Sequence, residues 1–215
     1  MSVDADRAGN AERAWWLRAV LVLQAPGAVF AALRDGSDEA AEARQEPIVA
    51  VLFLAAVSVV LGTTIAGRLL DDPEYDPLLI AVWAIVGGAI YAFGAYFVLG
   101  LLLLVGLRLG RSHATYRHAR HILAFASVPI ALSLLAWPVR LAVHGEDLFR
   151  SGGADAGGGH TVFEALETAF VVWAVGLLVL GVRVVHEWSW PRALAASVLP
   201  AAAPTLALAR AYGLV

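Results

Sequence analysis

The stretch Pro77–Leu107, PLLIAVWAIVGGAIYAFGAYFVLGLLLLVGL, contains no charged residue. About 31 residues in a helix extend roughly 46 Å, whereas roughly 20 residues are enough to cross about 30 Å of hydrocarbon. Two spans of about 15 residues each would need a turn in lipid whose backbone has no polar partner. The stretch therefore predicts one long, tilted transmembrane helix.

The composition of the whole chain agrees with a membrane protein. Of its 215 residues, 60% are hydrophobic and 15% are charged, and the mean hydropathy is +0.74. A water-soluble domain could not cover its surface with so few polar residues. A net charge of −3 gives no reason to expect a nucleic-acid-binding protein, and the absence of cysteine excludes disulfides and thiolate metal sites.

Four further apolar stretches predict transmembrane helices, at about 47–67, 121–143, 161–181 and 193–212. Pro47 suits the first turn of its helix, and Pro129, Pro138, Pro200 and Pro204 are expected to kink theirs. The fold class is therefore all-α, an integral membrane bundle of five helices in residues 47–215. Between the third and fourth, HGEDLFRSGGADAGGGH is glycine-rich and predicts a flexible loop.

Residues 1–46 form the predicted N-terminal segment, which is polar at first and then apolar from Ala19 to Leu33. That apolar run is too short to span the bilayer. Trp15 and Trp16, flanked by arginines, favour an amphipathic helix over about 14–33 that lies in the membrane interface. A helix packed on the bundle is the alternative, and in either case Pro26 should divide it in two.

The arginines predict the orientation, because cytoplasmic loops carry an excess of basic residues. With a cytoplasmic N-terminus, five spans place eleven arginines inside and four outside, which also puts the C-terminus outside. The outer four are Arg68, Arg140, Arg150 and Arg210, and the inner set is Arg7, Arg13, Arg18, Arg34, Arg44, Arg108, Arg111, Arg117, Arg120, Arg183 and Arg192. The predicted location is the plasma membrane.

The loop RSHATYRHARH, residues 111–121, brings three histidines close together in the sequence. His118 and His121 share a helix face and His113 lies within reach, so three imidazoles could hold zinc. The three arginines of the same loop, together with Arg108 just before it, would repel a cation, and no carboxylate is present in the loop to orient the rings. We therefore expect a basic interfacial loop, with no metal site and no cofactor.

Glu164 and Glu167 stand at the predicted start of the fourth span, with His160 one turn away. Such carboxylates suggest an intramembrane hydrolase or a transporter, but acidic residues also favour the first turn of a helix. We expect a helix start and no catalytic role. The polar groups predicted in mid-span are only hydroxyls, such as Ser58, Ser127, Ser133 and Thr205, whereas a transporter needs a polar cavity there.

Small residues recur every fourth position in the last predicted span and again in the second. Such stripes allow helices to approach closely, within the bundle, in a homo-oligomer or against other membrane proteins. The two stripes are Ala193, Ser197, Ala201, Thr205, Ala209 and Gly213, and Ala84, Gly88 and Ala92.

Three elements resemble the Yip domain family, multi-pass membrane proteins similar to Ypt-interacting proteins, in its prokaryotic branch. APGAVFAAL, with Pro26 and Phe30, is similar to the family's "P..vF..L" element. AFASVP, with Phe125 and Pro129, is similar to its "AY...P" element. The family also has a tryptophan in its fourth span, followed by a polar turn and "RA" at the start of the fifth. Trp173, Arg192 and Ala193 are similar to these positions.

The resemblance covers nearly the whole chain and implies five spans, a cytoplasmic N-terminus and a non-enzymatic structural or adaptor role in membrane organisation or trafficking. The glycine–tyrosine pair and the "DLYGP"-like element of eukaryotic members are absent from this sequence. The resemblance therefore does not extend to binding of small GTPases. A small-solute transporter or channel subunit is the alternative function, and an intramembrane hydrolase comes after it.

Overall fold

The computed structural model describes residues 14–153 and 158–211, and within these ranges all regular secondary structure is helical. Ten α-helices are joined by short turns and by 3₁₀ segments at Ala66–Arg68, Leu134–Ala136 and Gly145–Phe149. The α-helices are α1 (14–21), α2 (Pro26–Ala32), α3 (Asp38–Leu61), α4 (Leu78–Gly94), α5 (Gly100–Leu109), α6 (Tyr116–Ala126), α7 (Val128–Ser133), α8 (Trp137–His144), α9 (Gly158–His186) and α10 (Trp190–Ala211).

Four helical stretches are long and apolar enough to cross a membrane: Asp38–Arg68, Leu78–Leu109, Tyr116–Phe149 and Thr161–His186. The predicted all-helical membrane protein is confirmed at this level. The predicted fifth span corresponds to α10, which is not among the four, and several side chains in its second half lie outside the described residues. Five spans therefore remain a prediction.

The first spanning helix, α3, begins before Pro47. Ser37 caps it by accepting a hydrogen bond from the Ala40 amide. Asp38 and Glu39 occupy the first turn, where the helix dipole stabilises acidic side chains. Pro47 therefore lies inside α3 and not in its first turn, contrary to the sequence prediction. The charged residues 34–46, which the sequence alone predicts to be a linker before the first span, are helical from Asp38 onward, because their alanine and glutamate residues form helix readily.

The one long helix predicted for the second span is confirmed as the continuous stretch Leu78–Leu109. It contains a feature that the sequence did not predict, a π-helical segment at Ala95–Leu99 between α4 and α5. α4 packs closely on α3 at Gly88, where an added Cβ would lie 2.6 Å from a methyl group of Val57. Gly88, the middle residue of the second small-residue stripe, therefore packs against another helix of the same chain.

The third spanning stretch is broken where its prolines predict. α6 ends before Ser127, and Pro129 lies in the first turn of α7. A 3₁₀ segment follows, and Pro138 lies in the first turn of α8. A proline removes one backbone donor and its ring clashes with the preceding turn, so each break falls just before the ring.

The fourth spanning helix, α9, begins at Gly158, within the predicted glycine-rich loop. No acidic residue lies in its first turn. The prediction that Glu164 and Glu167 occupy a helix start is therefore wrong. Glu167 instead accepts a 2.7 Å hydrogen bond from Arg140 of α8 in a partly buried ion pair.

The last helix, α10, packs on α5 and α9 through its small residues. Ala193 and Ser197 are buried, and an added Cβ at Gly106 of α5 would collide with the carbonyl oxygen of Ala196. Only a glycine at position 106 allows the two backbones to approach this closely. The described part of the first stripe therefore also packs within the chain, and α10 continues through Pro200 without a break.

Candidate functional site: the arginine-rich end of the bundle

The arginines of the described chain lie at two opposite ends of the helix bundle. The starts of α3, α6 and α10 and the ends of α5 and α9 meet at one end, which we call the arginine-rich end. The arginines in it are Arg18, Arg34, Arg44, Arg108, Arg111, Arg117, Arg120, Arg183 and Arg192. Arg68, Arg140 and Arg150 belong to the opposite end, where Leu70 donates a 2.9 Å backbone hydrogen bond to Phe149.

The centre of the arginine-rich end is Arg44, which lies on α3 with only 1% of its surface exposed. Its guanidinium donates to the carbonyl of Asp35 at 2.7 Å, to that of Ala40 at 2.6 Å and to that of Leu33 at 3.5 Å. The guanidinium also lies 4.9 Å from the ring centre of Trp15. Arg44 therefore holds together α1, the end of α2 and the start of α3.

The N-terminal segment packs on the bundle with one face. Trp15 is buried with its ring centre 5.6 Å from that of Phe125, and Arg18 lies over the same indole at 4.3 Å. Chain direction changes in the turn before Pro26, which starts α2. Phe30 of α2 has no exposed surface, and its ring occupies the space that a side chain at Gly181 of α9 would fill.

The opposite face of α1 is apolar and exposed. Trp16, Leu17, Val20 and Leu21 are between 40% and 62% exposed, whereas Trp15, Ala19 and Val22 are buried. The sequence left open whether this segment packs on the bundle or lies in the membrane interface. The structure has the segment packed on the bundle with a second apolar face left uncovered.

Two ion pairs tie the segment and α3 to the other helix ends. Arg34 forms a 2.8 Å ion pair with Glu187 and donates to the carbonyl of Val184 near the end of α9. Arg117 of α6 forms a 2.7 Å ion pair with Asp38. The side chains of both pairs are 40% or more exposed, so we expect each to contribute little to stability.

Aromatic side chains interleave with the remaining arginines. Arg192 donates to the Gly110 carbonyl at the end of α5 and lies 4.1 Å from the ring centre of Trp188. Arg183 lies 4.6 Å from that of Trp190. Guanidinium and indole groups arranged in this way suit the boundary between hydrocarbon and headgroups.

The three histidines of the loop do not converge on a metal site. His113 is exposed, and His121 is buried on α6. His118 lies against Gly36, and its Nδ1 shares a 2.9 Å hydrogen bond with the hydroxyl of Thr115. Among the described residues, no group of three His, Cys, Asp or Glu side chains could hold a metal ion.

The opposite end is held together by an ion pair and by hydrogen bonds between loops. The guanidinium of Arg140 lies 4.8 Å from the ring centre of Trp137, next to its ion pair with Glu167. Between loops, the hydroxyl and the amide of Ser151 each donate a 2.6 Å hydrogen bond to Asp71. These bonds favour the ionised carboxylate and hold the pKa of Asp71 below its ordinary value.

Between the two ends, the bundle contains an apolar crevice of about 530 Å³. α3, α4, α6, α7, α9, α10 and the π-helical segment line it, and among the described lining residues Tyr91 and Ser127 carry side-chain hydroxyls. A separate hydroxyl pair, Ser58 and Ser133, joins α3 to α7 at 2.7 Å in the interior. No charged side chain lines the described crevice.

A comparison with protein-family models now identifies the relationship. Residues 20–211 match the model of the Yip1 domain. The chain belongs to the Yip1 domain family. No curated protein and no solved structure shows significant similarity to it. The membership agrees with the resemblance found in the sequence.

Three of the six positions that carry the resemblance, Phe30, Phe125 and Pro129, are buried in the interior of this Yip1 domain. Phe30 and Phe125 are buried in the same core cluster, where the N-terminal segment packs on α6 and α9. Pro26 begins α2, and Pro129 is buried at the start of α7. Trp173 is 41% exposed on the outside of α9, away from the others, and Arg192 caps α5.

Sequence reasoning missed Arg44 as a central residue of the Yip1 domain because the charges around it suggested a linker. A signal was present. Arg44 falls three positions after Ala41 and four before Ile48, both buried, so it shares the buried face of α3.

Proposed function

We propose that this Yip1 domain protein is a non-enzymatic adaptor in membrane organisation, with its arginine-rich end on the cytoplasmic side of the plasma membrane. The exposed face of α1, formed by Trp16, Leu17, Val20 and Leu21, carries the proposal. It would lie at the inner leaflet and receive an apolar helix of a partner membrane protein. The core beneath it would serve to present that face.

The construction of the segment supports this role. A helix needs only one apolar face to pack on a bundle, yet α1 has apolar residues on both faces. The second face is held in a fixed position, because Arg44, Trp15 and Phe125 fix the first. An exposed apolar patch is typical of a surface that contacts another protein or a membrane.

The alternative, a small-solute transporter or channel subunit, is less well supported. A transporter binds its solute near mid-membrane with charged or carbonyl groups. The described crevice is lined by apolar side chains with two hydroxyls from Tyr91 and Ser127. The partly buried pair Arg140–Glu167 is the one observation that favours transport, and it lies toward the opposite end.

A photo-crosslinking amino acid at Leu17 tests the adaptor role in the native membrane. We expect discrete adducts with a partner membrane protein, because Leu17 is 61% exposed on the proposed face. Val143 on α8, 64% exposed at the opposite end, is the matched control and should give no such protein adduct.

The variant Val20→Ser with Leu21→Ser should weaken the adducts at position 17 without unfolding the protein, since both residues are exposed. Protein adducts that appear equally at positions 17 and 143, or adducts with lipid alone at both, would contradict the adaptor role.

A further inference from the structure

The apolar crevice opens on one side of the bundle. Its interior wall includes the buried residues Leu52, Ala174 and Leu178, whereas Ile90 and Val98 at its rim are 65% and 56% exposed. A volume of about 530 Å³ falls within the range of small-molecule sites, roughly 300–1,000 Å³. Both rim residues belong to the stretch Leu78–Leu109, which is long and apolar enough to cross a membrane, so the rim faces hydrocarbon.

Neither water nor empty space suits this crevice. A space of about 530 Å³ would hold more than ten waters at about 30 Å³ each, and every one needs two to four polar partners, whereas the described lining offers two hydroxyls in all. Side chains around an empty space lose the dispersion contacts that a packed interior provides. A flexible hydrocarbon chain satisfies both conditions, because it is apolar and takes the shape of the space.

A positive charge stands one helical turn from the crevice. Arg120 lies three positions before Leu123, a lining residue of α6, so the two share a helix face. Its guanidinium lies between two tyrosines, 4.3 Å from the ring centre of Tyr96 and 4.5 Å from that of Tyr116. No carboxylate among the described residues forms an ion pair with Arg120, and its buried Nε has no hydrogen-bond partner.

The π-helical segment joins these two features. Ala95, Val98 and Leu99 line the crevice, while Tyr96 of the same segment covers the Arg120 guanidinium and accepts a 3.1 Å hydrogen bond from Gln45. π-helical turns are rare in proteins, and those that occur often lie at functional sites. Gly94 lies just before the segment, and a Cβ added there would meet nothing within 4 Å.

The geometry points to a binding site for one anionic phospholipid, with an acyl chain in the crevice and the phosphate at Arg120. The charge selects the headgroup, and the crevice holds the chain. The inference goes beyond the adaptor role and does not depend on it, because it uses a different surface of the protein.

Phospholipids with a photoreactive acyl chain test the site on the purified full-length chain in detergent. Anionic phosphatidylglycerol should label crevice residues more strongly than zwitterionic phosphatidylcholine. Arg120→Gln should remove that preference, roughly fivefold for one arginine near a phosphate. Arg108→Gln, which removes an exposed arginine from the same end, is the control and should keep it.

Gly94→Leu tests the crevice, because the new side chain enters open space inside it and should reduce labelling by both lipids at least fivefold. Gly176→Leu is the control, since Gly176 is exposed on α9 and also has open space around it. If Gly94→Leu does not fold, Val98→Trp narrows the crevice from its exposed rim.

Three results would overturn the inference. They are labelling spread evenly over the outer surface, unchanged labelling in Gly94→Leu or Val98→Trp, and stronger labelling by a photoreactive fatty acid than by phosphatidylglycerol. If crevice labelling fails but protein adducts form at position 17, the lipid site is refuted and the adaptor role is not. If crevice labelling succeeds but no protein adducts form at position 17, the adaptor role is refuted and the lipid site is not.

Discussion

At the scale of single residues, Arg44 shows how a charge can become part of a core. Three backbone carbonyls accept from its guanidinium, and Trp15 lies against it. A buried cation is tolerated only when its donors are satisfied in this way. Short family motifs identified Phe30 and Phe125 from the sequence, but the charges around Arg44 concealed its place on the buried face of α3.

We predict that Arg44→Gln loosens α2 without unfolding the bundle. Loss of charge-assisted hydrogen bonds should cost roughly 2 kcal/mol, which corresponds to roughly 30-fold more frequent opening of the segment. Hydrogen exchange of the amides of residues 27–33 measures this opening. Arg108→Gln, exposed at the same end, should leave the exchange unchanged, and unchanged exchange in Arg44→Gln would refute the role assigned to Arg44.

At the scale of helices, some prolines of the sequence mark helix breaks and others do not. Pro129 and Pro138 mark breaks because each ring prevents the preceding turn from closing. Pro47 marks none, since α3 was already capped at Ser37 and continues through it. The π-helical segment was not predictable, because one extra residue in a turn leaves no pattern in an all-apolar sequence.

Close helix packing at Gly106 gives a testable consequence. Gly106→Ala should destabilise the protein by roughly 2 kcal/mol, because the added methyl group meets the backbone of α10 at Ala196. Gly176→Ala on α9 is the matched control, with open space around it, and should be neutral or stabilising by up to about 1 kcal/mol. Unfolding in a titration with denaturing detergent, followed by tryptophan fluorescence, compares them, and equal stability of the two variants would contradict the packing.

At the scale of the whole molecule, the arginine asymmetry read from the sequence reappears as two ends of different charge. Helices that alternate in direction bring separated loops together, so Arg34 reaches Glu187 and Arg117 reaches Asp38. The crevice could not be predicted from the sequence, because its volume depends on how seven helical segments pack and not on any local pattern. Likewise, α9 begins earlier than expected, since glycine weakens a helix without forbidding it.

The central claim is that the arginine-rich end, with the N-terminal segment packed on it, faces the cytoplasm. Because the chain contains no cysteine, single cysteines can be introduced and labelled with a membrane-impermeant thiol reagent in intact cells. His113→Cys at the arginine-rich end should react only after permeabilisation, and Glu74→Cys in the opposite exposed loop should react without it. Val215→Cys should also react in intact cells if α10 is the fifth span. Labelling of His113→Cys in intact cells, with Glu74→Cys protected, would contradict the proposed orientation.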